Sequence, residues 1–190
     1  MSKTHWKPGT MIYPLPVVMV SVGEKPEEYN IITVAWTGTI CSDPPMCYVS
    51  VRPSRHSHAI IKRTGEFVIN LTTRQLAYAT DWCGVKSGRD VRKFEQMKLT
   101  PGKAAVVKAP IISESPIHIE CKVVNVLSLG SHDMFVANVV NVMADDRYLD
   151  PKTNAFSLMR ANPICYSHGH YFELGERIGK FGFSVEKKKK

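Results

Sequence analysis

Two long runs stand almost back to back in this chain, "PIHIECKVVNVLSLG" (116–130) and "DMFVANVVNVMADD" (133–146). Both are rich in β-branched residues, and only Ser131 and His132 separate them. So short a connection joins antiparallel strands and cannot serve a parallel crossover. In the second run Phe135, Ala137 and Val139 share one face, and Met134, Val136, Val140 and Val142 lie on the other. A strand that is apolar on both faces needs cover on both sides. The hairpin therefore belongs to a sheet that closes on itself or is packed over, not to a flat sheet with a wet face.

The rest of the chain fits that demand. Residues 11–23 form an apolar, β-branched run whose first half, with Pro14 and Pro16, is confined to an edge. A second strand is predicted over 30–41, a third over 46–52 and a fourth over 66–71, with "SDPP" stopping the second. "SRHSHAIIKRTG" reads as a short helix with Ser54 or Ser57 as its cap and Gly65 at its end. "TRQLAYATDWCG" reads as another, from Thr73 to Gly84, and Asp90 is placed to cap one further helical turn. The glycine-rich stretch 166–185 reads as strand or coil wrapping the body. No repeat or composition break interrupts residues 1–186, which read as one domain followed by a basic tail, 187–190. Many strands and few helices imply a mainly β fold, a closed or nearly closed barrel with helical insertions.

Composition narrows the function classes. A chain of 190 residues with 44% hydrophobic content is globular, not disordered. No apolar run approaches the roughly 20 residues that span a bilayer. "MSKTHWKPG" has no apolar signal core, so a soluble, cytoplasmic protein is expected. Four of the +8 net charges are the terminal lysines. The remaining bases are scattered and lack a base-stacking aromatic motif, which argues against nucleic acid and suits a small anionic ligand. The five cysteines include no CxxC and read mostly as buried thiols.

The predicted second strand carries the most specific pattern. Ile32, Val34, Trp36 and Ile40 can face a core, leaving Thr33, Ala35, Thr37 and Thr39 as a shallow wall with hydroxyls. A flat ligand could lie on such a wall, its edge heteroatoms met by hydroxyls and backbone N–H groups. Arg52, Ser54, Arg55 and Ser57 then surround a predicted helix start, where free N–H groups and the dipole favour an anion. A flat ring beside a phosphate describes a mononucleotide such as FMN. The same threonines equally describe a solvated sheet face, and "SxxS" equally describes a helix cap.

Six stretches in order, "NIITVAWTGTICSDPP", "VRPSRHSHAIIKRTGEFVINL", "SGRDVRKFE", "ESPIHIECKV", "GSHDMFVANVVNV" and "YFELGERIGKFG", give a resemblance. The chain resembles the flavin reductase-like family of FMN-binding split-barrel proteins, in particular its flavoredoxin-like branch. The resemblance implies a six-stranded split β-barrel, usually a homodimer, with FMN near the subunit interface. By position it places Asn30, Thr33, Trp36, Thr37, Thr39 and Cys41 along the isoalloxazine and ribityl chain, with Thr37 and Cys41 nearest the ring. It places Arg52, Ser54 and Ser57 at the phosphate, and Arg89 and Lys93 as added positive charge. In the "GSHD" turn, His132 corresponds to a histidine near the nicotinamide site, although Ser131 replaces an acid there. The implied function is an FMN-dependent oxidoreductase of the flavin reductase type, with NAD(P)H or a protein as electron donor. A non-catalytic flavin-binding electron carrier is the alternative.

Rival motifs carry less. "HSH" (His56, His58) and "HGH" (His168, His170) raise a metal site, but the first pair falls in a predicted helix, where i and i+2 diverge. No metal is expected. The chain has no GxSxG, HExxH, P-loop or GxGxxG, so hydrolase, zincin and Rossmann readings lack support.

Overall fold

The computed structural model describes residues 1–186; the basic tail lies outside them. In chain order the strands are β1 (Leu15–Pro16), β2 (Val18–Val22), β3 (Asn30–Val34), β4 (Thr37–Ser42), β5 (Pro45–Val51), β6 (Glu66–Leu71), β7 (Pro101–Gly102), β8 (Ile111–Ile112), β9 (Ile117–Ser128), β10 (Asp133–Ala144), β11 (Ile164–Ser167) and β12 (His170–Glu173). The helices are α1 (His56–Thr64), α2 (Ala77–Val85) and α3 (Lys93–Gln96). A seven-stranded sheet in the order β3-β2-β6-β9-β10-β5-β4 forms the body, and β1-β11-β12 makes a small second sheet. Among the described residues no helix is long and apolar enough to cross a membrane.

The mainly β split barrel expected from the sequence is what the chain adopts, and one correction explains its strand count. The stretch 30–41 is not one strand. It breaks at Ala35–Trp36, where the Thr37 N–H turns back to the Ala35 carbonyl (3.1 Å) and the Trp36 carbonyl accepts from Ser50 N–H (2.9 Å). The six expected strands thereby become seven. β3 and β4 end up at opposite edges of the sheet, so the two edges are consecutive in sequence. The sheet curls until β3 lies beside β5 without a paired ladder. That unpaired seam is the split in the barrel.

The β9–β10 hairpin is paired along its length, from Asp133 opposite Ser128 to Ala144 opposite Ile117. Inside the barrel, Val20, Val49, Phe67, Cys121, Phe135 and Ala137 are fully enclosed. The alternation of β3 sends Ile32 and Val34 into this interior, whereas Ile31 faces the opposite side and packs under α2 and α3 with Met19, Cys83 and Phe94. Trp36 and Ile40, placed in the core by the sequence reading, are exposed because they follow the break. The buried thiols of Cys47 and Cys121 meet at 3.5 Å, reaching across β10, which separates their strands.

Helix termini depart from the sequence reading in one consequential place. Neither Ser54 nor Ser57 caps α1: Arg55 occupies the N-cap and no side chain caps the helix. Ser57 lies within the first turn and is buried. Gly65 ends the helix with φ 67°, a left-handed geometry that glycine adopts without steric cost. Thr73 caps a short 3-10 turn that leads into α2, Gly84 lies inside α2 rather than after it, and Arg92, not Asp90, precedes α3.

Candidate flavin site

Two adjoining cavities open along the seam, of about 310 and 350 Å³. Ile32, Arg52 and Arg55 line both, so they form one continuous groove. Each is large enough for part of a small-molecule ligand.

The first cavity is an anion pocket. Arg52, Arg55, Lys86, Arg89 and Lys93 line it, and no carboxylate does. It sits at the start of α1, where no side chain caps the first turn and the His58 N–H bonds Arg55 O at 3.0 Å, leaving the His56 and Ser57 N–H groups as those a ligand would meet. Asn30 Nδ2 donates to Ser57 Oγ at 2.8 Å, fixing both side chains on the pocket wall. Gly88 closes the other side so tightly that an added Cβ would lie 2.2 Å from Asn30 Oδ1. His56 also lines the pocket; burial, then Arg89 and Lys93, push its pKa down. Five cations without a counter-charge suit a dianion such as a phosphomonoester.

Lys93 is the most constrained of the five. It is buried, and its Nζ donates to Ile31 O at 2.7 Å and Cys83 O at 2.6 Å, leaving one of three donors. Burial pushes its pKa down to about 8, with Cys83 opposing and Arg55 adding to the shift. Cys83 itself is pushed up to about 11, chiefly by burial, and remains a thiol in this range. The sign of the pH effect follows. Below pH 8 the ammonium is present to meet an anion; above it the flavin-free pocket holds a neutral amine, and binding must take up a proton. With FMN as the probe anion and riboflavin as the uncharged control, anion affinity is expected to fall by up to tenfold per pH unit above about 8, the control staying flat and Lys93→Met losing the slope. Fluorescence titrations between pH 6.5 and 10 check this, and a riboflavin slope equal to that of FMN refutes it. In the flavin-free protein the unfolded chain holds the extra proton between pH 8 and 10.5, so Lys93 makes stability rise with pH across that window.

The second cavity lies at the seam and has room for a flat ring, hence the name ring compartment. Its floor runs from Ile32 to Trp36, its sides come from Ser50–Arg52 and from α2, and Tyr166 and Tyr171 form the outer wall. The free edge of β3 offers unpaired backbone groups there. Trp36 and His132 stand nearly parallel at its mouth, 6.2 Å between centroids and 12° apart. His132 bonds Ser131 through Nδ1 at 2.9 Å, and burial, then Arg52, pushes its pKa down. The neighbouring Asp133 is tied to His58 Nε2 at 2.8 Å, which joins α1 to the hairpin that carries His132. The hydrogen bond to His58 is the main cause of the lowered Asp133 pKa.

The groove thus brings together Asn30, Thr33, Trp36, Arg52, Ser54, Ser57, Arg89, Lys93 and His132. Thr33 spends its hydroxyl on Thr80 O at 2.5 Å. Thr37, Thr39 and Cys41 do not reach the groove, because the break at Ala35–Trp36 carries them away. Thr37 is buried with its hydroxyl on Tyr48 O (2.6 Å), Thr39 is exposed, and Cys41 bonds Asp43 O at 3.3 Å. Lys86, Asp81, Tyr166 and Tyr171 line the groove but were not singled out in the sequence. Among the described residues no three His, Cys, Asp or Glu side chains stand close enough together to hold a metal ion.

Residues 10–175 match the flavin reductase like domain. The chain belongs to that family. It is 33% identical over 142 residues to an uncharacterized protein of Archaeoglobus fulgidus, covering 74% of this chain and 78% of that protein. Its fold matches the flavoredoxin of Desulfovibrio vulgaris (Miyazaki F) with a TM-score of 0.89 and 28% identity, over 98% of this chain and 100% of the other. The flavoredoxin of Methanosarcina acetivorans superposes with a TM-score of 0.86 at 24% identity over 98% and 100%, a likeness of fold. Membership fits the groove on its own terms: a pocket whose charged lining residues are all cations, joined to a seam of aliphatic, aromatic and polar residues, suits a flavin.

Proposed function

We propose that this chain binds FMN, with the phosphate at the start of α1 and the ring in the seam, and acts as an oxidoreductase of the flavin reductase type. The carrying observation is the sharing of Arg52, Arg55 and Ile32 between a polycationic pocket and a slot lined by aliphatic, aromatic and polar side chains. Bound FMN would supply the redox chemistry. The protein's share is to hold the phosphate with Arg52, Arg89, Lys93 and the α1 N–H groups, to orient the ring on Ile32–Trp36, and to place a donor beside His132. The groove contains no nucleophile–base pair, and this reading needs none. NAD(P)H or a redox protein serves as donor. The likeness to flavoredoxin supports a second reading, an electron carrier without turnover of its own. Five unpaired cysteines suit a reducing, cytoplasmic setting.

Reconstitution with FMN followed by anaerobic addition of NADH or NADPH separates the two readings. Bleaching of the flavin band supports the reductase; a bound flavin that neither nucleotide bleaches supports the carrier. His132→Ala is expected to keep its flavin and spectrum while being reduced about fivefold more slowly, as a loss of ~1 kcal/mol in the transition state requires. Stopped-flow reduction at saturating nucleotide measures it, and an unchanged rate removes His132 from the donor site.

The reading includes a second copy. Near the His132 turn the hairpin exposes Val124, Val126, Leu127 and Leu129, and toward the other end of β10 it exposes Val140 and Val142, an apolar surface spread along the hairpin. Covering it with the same face of another chain makes a two-fold dimer. Light scattering is expected to give about 43 kDa, twice the 21.3 kDa chain. A monomer that holds FMN at micromolar concentration refutes the dimer.

A further inference from the structure

Asp81 is the one carboxylate among the residues lining the two compartments. It projects from α2 at the rim of the ring compartment and accepts a hydrogen bond of 2.9 Å from the Tyr171 hydroxyl. Tyr171 comes from β12, 90 residues away, and lines the same compartment. Arg74, in the 3-10 turn that leads into α2, and Glu173 of β12 add an ion pair of 2.8 Å. Burial, then the hydrogen bond to Asp81, raises the Tyr171 pKa, so the phenol remains a donor at neutral pH. Asp81 is solvent-exposed, yet this bond keeps its carboxylate at the rim.

The other charges of the ring compartment are Arg52 and Arg55, which also line the anion pocket. Burial, then Arg52, lowers the His132 pKa and so disfavours its charged form. A phosphate dianion offsets the two charges of Arg52 and Arg55, which leaves the carboxylate of Asp81 as the charge without a counterpart among the residues lining the ring compartment.

Resting on the FMN reading above, we propose that Asp81 is a specificity-determining residue, selecting neutral flat rings over anionic ones as the second ligand of the ring compartment, with Tyr171 as its positioning residue. Like charges about 8 Å apart at an effective dielectric of ~40 change affinity about fivefold, and salt screens the effect. The two members of a ligand pair need only differ in charge.

The test titrates FMN-loaded protein at pH 7 and low ionic strength with 4-hydroxybenzamide and with 4-hydroxybenzoate, a neutral and an anionic form of one ring, following the flavin absorbance. Asp81→Asn is expected to strengthen 4-hydroxybenzoate about fivefold and to leave 4-hydroxybenzamide within twofold. Added 0.5 M salt in the wild type is expected to move the ratio the same way. Tyr171→Phe, which keeps the ring and loses the hydroxyl, is expected to fall between. A ratio that Asp81→Asn does not move, with flavin bound throughout, overturns the proposal and leaves the FMN reading standing. Failure of either ligand to perturb a bound flavin also overturns it. Protein that takes up no FMN overturns the reading beneath it as well.

Discussion

Arg52→Ala is expected to raise the FMN dissociation constant roughly 10- to 150-fold while changing that for riboflavin by no more than about threefold. A hydrogen bond to a charged group is worth about 1.5–3 kcal/mol, and each ~1.4 kcal/mol is a factor of ten. Arg52 is exposed and has four cationic neighbours in the pocket, so screening favours the lower half of that range. Riboflavin lacks the phosphate and loses only what Arg52 contributes to the ring compartment, which it also lines. Arg52→Lys keeps the charge but not the planar fork, and an intermediate loss is expected. The FMN-to-riboflavin difference should narrow in 0.5 M salt, as an ionic contact requires. Parallel fluorescence titrations decide the matter: equal losses for the two ligands would falsify the phosphate assignment.

The anion pocket was more legible than the ring compartment. Arg52, Ser54 and Ser57 are neighbours in sequence at a helix start, so local chemistry alone suggested an anion, and the family resemblance added Asn30, Arg89 and Lys93. Lys86 carried no such signal; only the fold of α2 turns it into the pocket. Thr37, Thr39 and Cys41, expected along the ring, lie outside the groove. Alternation continues undisturbed through Ala35–Trp36, and neither glycine nor proline marks the break. The break arises from tertiary geometry: the sheet must curl, and Trp36 O already pairs with Ser50 N–H as the next rung of the β4–β5 ladder. Asp81 and Tyr171 meet from segments 90 residues apart, a distance over which no local pattern reaches. Strand identity was legible because β-branched runs bounded by turn residues are local; the seam was not, because it is a property of the closed sheet.

Glu120→Ala is expected to destabilise the protein by about 3–5 kcal/mol, the cost of leaving buried donors facing a void in place of a charge. Glu120 sits on β9 and is fully buried. Its carboxylate accepts from the backbone N–H groups of Ala105 (2.9 Å), Val106 (2.6 Å) and Val107 (3.0 Å) and from Asn141 Nδ2 (2.7 Å). Four donors therefore converge on one side chain, pinning the 104–109 loop over Val68 on the outside of the barrel. Burial raises the carboxyl's pKa, but the Asn141 and backbone hydrogen bonds outweigh it and hold the pKa below 4.5. The linkage sign follows from that direction. The unfolded chain protonates this group first as pH falls, so the contribution is complete above about pH 5 and is lost as pH drops through the lower folded value. Glu120→Gln keeps the shape and one acceptor oxygen but turns an amide donor toward backbone donors, so a smaller loss is expected. Urea unfolding at pH 7 and pH 4 measures both variants. The gap between wild type and Glu120→Gln should shrink at pH 4, and a gap that widens there would show that the carboxylate is not the stabilising form.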